Sequence, residues 1–110
     1  MEFSLMEAAA SGMDAERAVL DVSARNLAAA QAAGPRGDFV RQAARLVAEG
    51  GDGETTRVRF AGTVSERSRG GDVLMEMVAV MNASRAYEAN AAIFETGKHL
   101  VQRTVEMGRA

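Results

Sequence analysis

The chain has 110 residues, which leaves room for one small domain. Hydrophobic residues make up 47% of it, but much of that fraction is alanine, and the aromatic residues are four phenylalanines and one tyrosine. Apolar burial contributes about 25 cal/mol per Å² and alanine buries little area, so we expect a monomer of marginal stability that gains burial from partners. The net charge of −2 argues against nucleic-acid binding, and the absence of cysteine excludes disulfides and thiolate metal sites.

Membrane insertion and classical secretion have no support in the sequence. No apolar run approaches the ~20 residues of a transmembrane helix. The first four residues, Met1-Glu2-Phe3-Ser4, lack the basic-then-apolar layout of a cleavable signal peptide. If the protein leaves the cytoplasm, we therefore expect a route that does not need that signal.

The first segment, residues 1–33, is predicted to be one long helix. From Phe3 to about Gln31 it contains no proline and a single glycine, Gly12. Apolar residues recur there at steps of four, four, seven and seven, which keeps them on one helical face: Leu5, Ala9, Met13, Leu20 and Leu27. Gly34-Pro35 ends the segment, because proline cannot continue a helix.

The middle segment, residues 34–71, is predicted to be a β-hairpin with loops. Thr56–Phe60 alternates charged with apolar or β-branched residues, as a half-exposed strand does. Phe39–Val47 fits a short helix about as well as a strand. Between them, Gly50-Gly51-Asp52-Gly53 is a strong turn signal.

The last segment, residues 72–110, is predicted to be a second long helix. Gly70-Gly71-Asp72 is a breaker followed by a plausible N-cap. The residues after it form a long seam with steps of three, four or seven, resembling a coiled coil: Leu74, Met77, Val78, Met81, Ser84, Tyr87, Ala91, Phe94, Val101 and Val105. The predicted fold is therefore mainly α, with long N- and C-terminal helices forming an antiparallel coiled-coil-like pair and a small central β-hairpin. The three segments together make one assembly domain.

Catalysis and cofactor binding have little basis in these residues. The single histidine, His99, lies near a helix end, where a solvated or cap-stabilising role is the simpler interpretation. Asp52 and Glu54 lie in a glycine-rich turn whose spacing fits neither a calcium loop nor a phosphate loop. We expect no enzyme activity, no cofactor and no metal.

Two other groups of residues have alternative interpretations. Met75, Met77 and Met81 cluster on the first turns of the last helix, where they either fill a core or form a surface that repacks against non-identical neighbours. The middle segment is rich in arginine, which would form either a patch for an anionic partner or, interleaved with acids, a salt-bridged surface. We favour the second for Arg41, Arg45, Arg57, Arg59, Arg67 and Arg69.

Two stretches of the last segment carry a family resemblance. Glu76-Met77-Val78 and Asn82-Ala83-Ser84-Arg85-Ala86-Tyr87-Glu88-Ala89-Asn90 resemble the C-terminal signature of flagellar rod and hook proteins, especially the proximal-rod FlgC type. The first helix is similar to that family at Ser11-Gly12-Met13, Leu20-Asp21-Val22 and Asn26-Leu27-Ala28. Arg41-Gln42 and the apolar stretch after it resemble the family's first strand, which favours β for the ambiguous segment. The family's Asp-, Pro- and Gly-rich segment before the last helix is missing, so the chain resembles a shortened, divergent member.

The resemblance implies a structural subunit of the flagellar basal-body rod. Such a subunit polymerises through its terminal helices into the axial tube that transmits torque, and it reaches the periplasmic rod through the flagellar export apparatus without a cleavable signal peptide. Its partners would be other copies of itself, other rod proteins and the export apparatus, with no nucleic acid and no small-molecule substrate. The residues expected at subunit contacts are Met13, Leu20, Asn26, Leu27, Met77, Met81, Ser84, Arg85, Tyr87, Glu88, Asn90 and Phe94.

Two alternatives belong to other functional classes. A secreted helical-hairpin interaction protein acting as a soluble dimer would share the helices without requiring the Asn82–Asn90 sequence. A small enzyme or ligand-binding domain would need convergent polar groups in a concave site, and the sequence offers no such set.

Overall fold

The computed structural model describes residues 2–50, 56–69 and 73–109. The elements follow in the order α1 (Glu2–Ala33), β1 (Asp38–Glu49), β2 (Arg57–Arg69) and α2 (Val73–Arg109). Two long helices with an antiparallel hairpin between them confirm the predicted fold class. The predicted turn residues 51–53 and the predicted cap at residues 70–72 lie outside the described residues.

The two helices run antiparallel and approach closely. Gly12 of α1 lies opposite Asn90 of α2, and further along, Arg17 lies opposite Tyr87. A Cβ atom at Gly12 would come within 2.7 Å of Asn90 Nδ2, so a larger residue there would force the Asn90 side chain to move. The resulting molecule is long and thin, 67 × 25 × 13 Å across its Cα atoms.

The hairpin is longer than predicted and bends in its middle. Ala44 pairs with Thr63 and Leu46 with Phe60, so Arg45 of β1 faces two residues of β2, Ala61 and Gly62. Gly62 has φ +96°, a conformation that favours glycine at a bulge. The bulge lets β2 continue to Arg69, where the alternation at Thr56–Phe60 predicted only a short strand. Phe39–Val47, which the residue pattern left ambiguous, lies entirely within β1.

The bent hairpin follows α1, with a different strand next to the helix at each end. Near the end of α1, Asn26 Nδ2 donates to Gln42 O at 2.7 Å and Gln42 N donates to Asn26 Oδ1 at 2.8 Å. Near its start, Val58 N of β2 donates to Ser11 Oγ at 3.1 Å. Side chains of α1 thus occupy backbone hydrogen-bonding groups that a third strand would otherwise use.

The core of the described residues is small and built largely from alanine: Ala9, Ala15, Val22, Ala30, Phe39 and Ala83 are buried. Most of the predicted apolar stripe of α1 is not part of it, because Leu5 is exposed and Met13, Leu20 and Leu27 are only half-buried. Close helix approach selects small residues for the contact and leaves the larger ones at its border. Within the described part of the chain, no helix has the length and apolarity needed to cross a membrane.

Candidate interaction surface

The first turns of α2 have a reversed polarity: the charged residue is buried and the apolar residues beside it are exposed. Glu76 is 1% exposed, whereas its neighbours Met75 and Met77 are 69% and 45% exposed. A carboxylate is costly to bury unless it is paired, so a specific partner must hold Glu76 inside.

Arg41 of β1 is that partner. Its Nε donates to Glu76 Oε1 at 2.5 Å, and its Nη1 lies 3.3 Å from Glu66 Oε2 on β2. The hydrogen bond that Arg41 donates to Glu76 is the main reason that the pKa of Arg41 is raised, although partial burial opposes the shift. The second oxygen, Glu76 Oε2, is buried without a hydrogen-bond partner among the described residues, so its burial depends on the single bond from Arg41.

This ion pair joins the start of α2 to the hairpin. With Glu76 turned towards the hairpin, the inward positions of α2 recur every seven residues: Glu76, Ala83 and Gly97 are buried and Asn90 meets Gly12. The seam predicted from Leu74, Met77, Val78 and Met81 is therefore not the face that α2 turns towards its own chain.

Those larger residues form an exposed apolar surface, which we call the methionine stripe. It consists of Leu74, Met75, Met77, Val78 and Met81, exposed by 74%, 69%, 45%, 54% and 51%. Leu74, Met77, Val78 and Met81 are spaced i, i+3, i+4 and i+7, so they share one helical face, and Met75 adjoins Val78 three positions on. The three methionines do not fill the core of this chain, which was one of the two interpretations of their clustering.

Tyr87 lies instead at the border between the two helices. Arg17 of α1 donates through Nη2 to the Tyr87 hydroxyl at 3.3 Å, and its guanidinium carbon lies 5.9 Å from the ring centroid. The hydrogen bond to Tyr87 raises the pKa of Arg17. This contact joins α1 and α2 of one chain, so it supplies the hydroxyl with a partner without a second subunit.

The twelve residues expected at subunit contacts divide into three groups by exposure. Four are exposed on α2: Met77, Met81, Arg85 and Glu88. Seven are half-buried: Met13, Leu20, Leu27, Ser84, Tyr87, Asn90 and Phe94. Asn26 is 2% exposed and binds the backbone of β1, so it has partners within its own chain.

Several arginines of the hairpin are paired with acids, as the salt-bridged interpretation expected. Arg59 Nε lies 2.6 Å from Glu49 Oε1 across the two strands, and Arg57 reaches Glu7 of α1 at 2.9 Å. These pairs are at least half exposed and contribute little stability each. Sequence reasoning missed the partners on the helices, Glu7 and Glu76, because they are distant along the chain.

A cleft of about 520 Å³ lies between α1, β1 and α2. Alanines line much of it, and the polar groups at its wall include Asn26 and Arg41, which are already paired within the chain. Across the described residues, no group of three or more His, Cys, Asp or Glu side chains is placed to hold a metal ion. The most distinctive surface feature is thus the methionine stripe.

Comparison with known proteins points to the helix that carries this stripe. A search of curated proteins finds no match. A family model does match residues 72–107: the C-terminal region of flagellar basal body rod FlgEFG proteins. The matched range covers about a third of the chain and nearly all of α2. It supports a flagellar rod-family protein, without distinguishing the FlgC type, through similarity in α2.

Proposed function

We propose that the chain is a structural subunit of the flagellar basal-body rod that polymerises through its two terminal helices into the torque-transmitting axial tube. The observation that carries this proposal is the reversed polarity of α2, with Glu76 buried and the methionine stripe exposed. The stripe lies in the part of the chain that is similar to rod proteins.

The physical argument is that α2 has apolar residues on two faces. One face packs on α1 through small residues such as Ala83, and the stripe on the other face has no cover within the described chain. A helix that is apolar on several sides is normally buried on several sides. Neighbouring subunits packed in coiled-coil fashion would supply that cover. A surface that meets a different surface of the next copy generates an open helical filament.

The subunit type and location are finer parts of the same proposal. Residues 76–90 resemble the proximal-rod FlgC type, so we assign the chain to the periplasmic, proximal part of the rod. Its partners there would be further copies of itself, other rod proteins and the flagellar export apparatus that delivers them. The rod role is mechanical and requires no enzyme activity or cofactor.

Two substitutions distinguish residues that contact other subunits from residues that pack within their own chain. Met81 is 51% exposed, so Met81→Asp should leave the monomer folded, yet it would bury a charge at every subunit contact at a cost of several kcal/mol. Tyr87→Ala removes the contact with Arg17 and should loosen the helix pair of the monomer itself. Gln102→Asp adds the same charge to an exposed position of α2 outside the stripe and serves as the control.

Each variant is expressed in a strain that lacks the native gene, and isolated basal bodies are probed for the chain. We expect the wild type and Gln102→Asp in basal bodies, with swimming restored, and Met81→Asp absent from them while its level and unfolding free energy stay normal. Normal incorporation of Met81→Asp would overturn the assignment of the stripe. Absence of the wild-type chain from basal bodies, together with a discrete soluble dimer in size-exclusion chromatography, would favour the secreted interaction protein.

A further inference from the structure

We propose that the methionine stripe is a site of reversible methionine oxidation, and that oxidation there blocks association of the chain. The inference rests on the proposed function for its consequence, but the chemical site itself follows from exposure and composition. Three of the five stripe residues are methionines.

Most of the solvent-exposed methionines among the described residues lie in the stripe. The chain has seven methionines and no cysteine, so thioethers are its only sulfur groups open to oxidation. Methionine oxidation follows solvent access. Met75, Met77 and Met81 are 45–69% exposed, whereas Met6 and Met13 of α1 are half-buried. Met107 is also exposed, at 75%, but lies near the other end of α2.

The reaction needs an oxidant of the peroxide class and no catalytic group. The thioether sulfur attacks one oxygen of hydrogen peroxide, the O–O bond breaks, and a sulfur–oxygen bond forms. The sulfur loses two electrons, the peroxide gains them, and the remaining oxygen leaves as water after taking up the peroxide's protons. A methionine sulfoxide reductase supplied with a dithiol reverses the change: the dithiol is oxidised to a disulfide, its two electrons and two protons pass to the sulfoxide, and the oxygen leaves as water.

The consequence of this reaction is a change of polarity at the proposed contact. A sulfoxide is polar and would be buried without a partner wherever a thioether had packed against an apolar neighbour. The core of the monomer would be unaffected, because Glu76, Ala83 and Gly97 are the residues that α2 buries in its own chain. Oxidation should thus weaken association of the chain and leave the monomer folded.

The test treats the full purified chain with hydrogen peroxide and maps oxidation by peptide mass spectrometry. We expect the three stripe methionines to react several-fold faster than Met6 and Met13. Self-association, measured by sedimentation velocity, should weaken by at least about tenfold, while the circular dichroism of the dilute chain stays unchanged. Treatment with methionine sulfoxide reductases should restore association.

A triple variant supplies the matched control. Met75→Leu, Met77→Leu and Met81→Leu together keep the stripe apolar and of similar volume but remove its sulfur, while Met107 remains oxidisable. The variant should associate like the wild type with or without peroxide. Equal loss of association in the triple variant, or stripe methionines that react no faster than Met13, would overturn the proposal. If the untreated chain does not associate with itself, the proposed effect of oxidation on association is overturned. Absence of the chain from basal bodies would separately overturn the proposed function, whatever the oxidation map shows.

Discussion

The stability of the monomer should depend strongly on Arg41. Substituting Arg41→Met removes the donor to Glu76 and leaves that carboxylate buried, since the side chain of Glu76 is 2% exposed. Breaking a buried ion pair by removing one partner costs about 3–5 kcal/mol. We expect the lower end, about 3 kcal/mol, because Arg41 is 30% exposed and water can enter the space that its truncation leaves. The free energy of unfolding of native proteins is only about 5–15 kcal/mol in total, so the loss would be severe.

Substitution of the other partner, Glu76, should cost less. Glu76→Gln keeps the shape and an oxygen that can accept from Arg41, and the guanidinium retains Glu66 and solvent, so we expect about 1–2 kcal/mol. The double substitution Arg41→Met with Glu76→Met replaces both charges by apolar groups and should recover most of the loss. With the single substitution Glu76→Met closing the cycle, the losses of Arg41→Met and Glu76→Met should sum to more than the loss of the double variant, which is the signature of direct coupling.

The assay is urea unfolding followed by circular dichroism, at concentrations low enough to keep the chain monomeric. Arg59→Met is the matched control, because it breaks a pair of similar length, 2.6 Å, whose side chains are 57% and 50% exposed. That change should cost less than about 1 kcal/mol. If Arg41→Met costs no more than Arg59→Met, the buried pair does not hold α2 in place and the reasoning is wrong.

Two further predictions concern the contact between the hairpin and α1. Asn26→Ala removes both hydrogen bonds to the backbone of Gln42 and should cost about 2–3 kcal/mol, with faster hydrogen exchange at the Gln42 amide. Gly62→Ala forces a Cβ onto a residue at φ +96°, so about 1–2 kcal/mol should be lost and the Val58 amide should exchange faster than that of Gln42. Gly34→Ala is the control for the second, because Gly34 has φ +76° at the end of α1, far from the bulge. If Gly62→Ala raises the exchange rates of the Val58 and Gln42 amides over wild type by the same factor, the bulge is not the source of the bend.

The elements could be predicted because their signals are local. Gly34-Pro35 ends α1 at Ala33, and the absence of proline after Asp72 allows a single helix to Arg109, which continues through Gly97. The full length of β2 could not be read in the same way, since its continuation depends on a bulge at Gly62 that interrupts the alternation. A glycine within a strand pattern can mark either a bulge or an end.

The faces of the helices were harder to predict than their lengths. The apolar pattern of α2 suits a seam through Met77 and Met81, but Glu76 faces inward, where it pairs with Arg41, 35 positions away along the chain. Asn26 stood out through a family resemblance, but its hydrogen bonds to Gln42 depend on how the hairpin lies along α1. Both contacts join distant segments, so no local periodicity could indicate them.

The same ion pair connects the stability of the monomer to its proposed assembly. If α2 turned about its axis so that Met77 and Met81 faced α1, Glu76 would face the position where other subunits are proposed to pack. Arg41 opposes that rotation, because the short bond to Glu76 would be lost. The pair thus favours the arrangement in which Glu76 is buried and the methionine stripe is exposed. That arrangement favours a monomer that completes its burial through its neighbours.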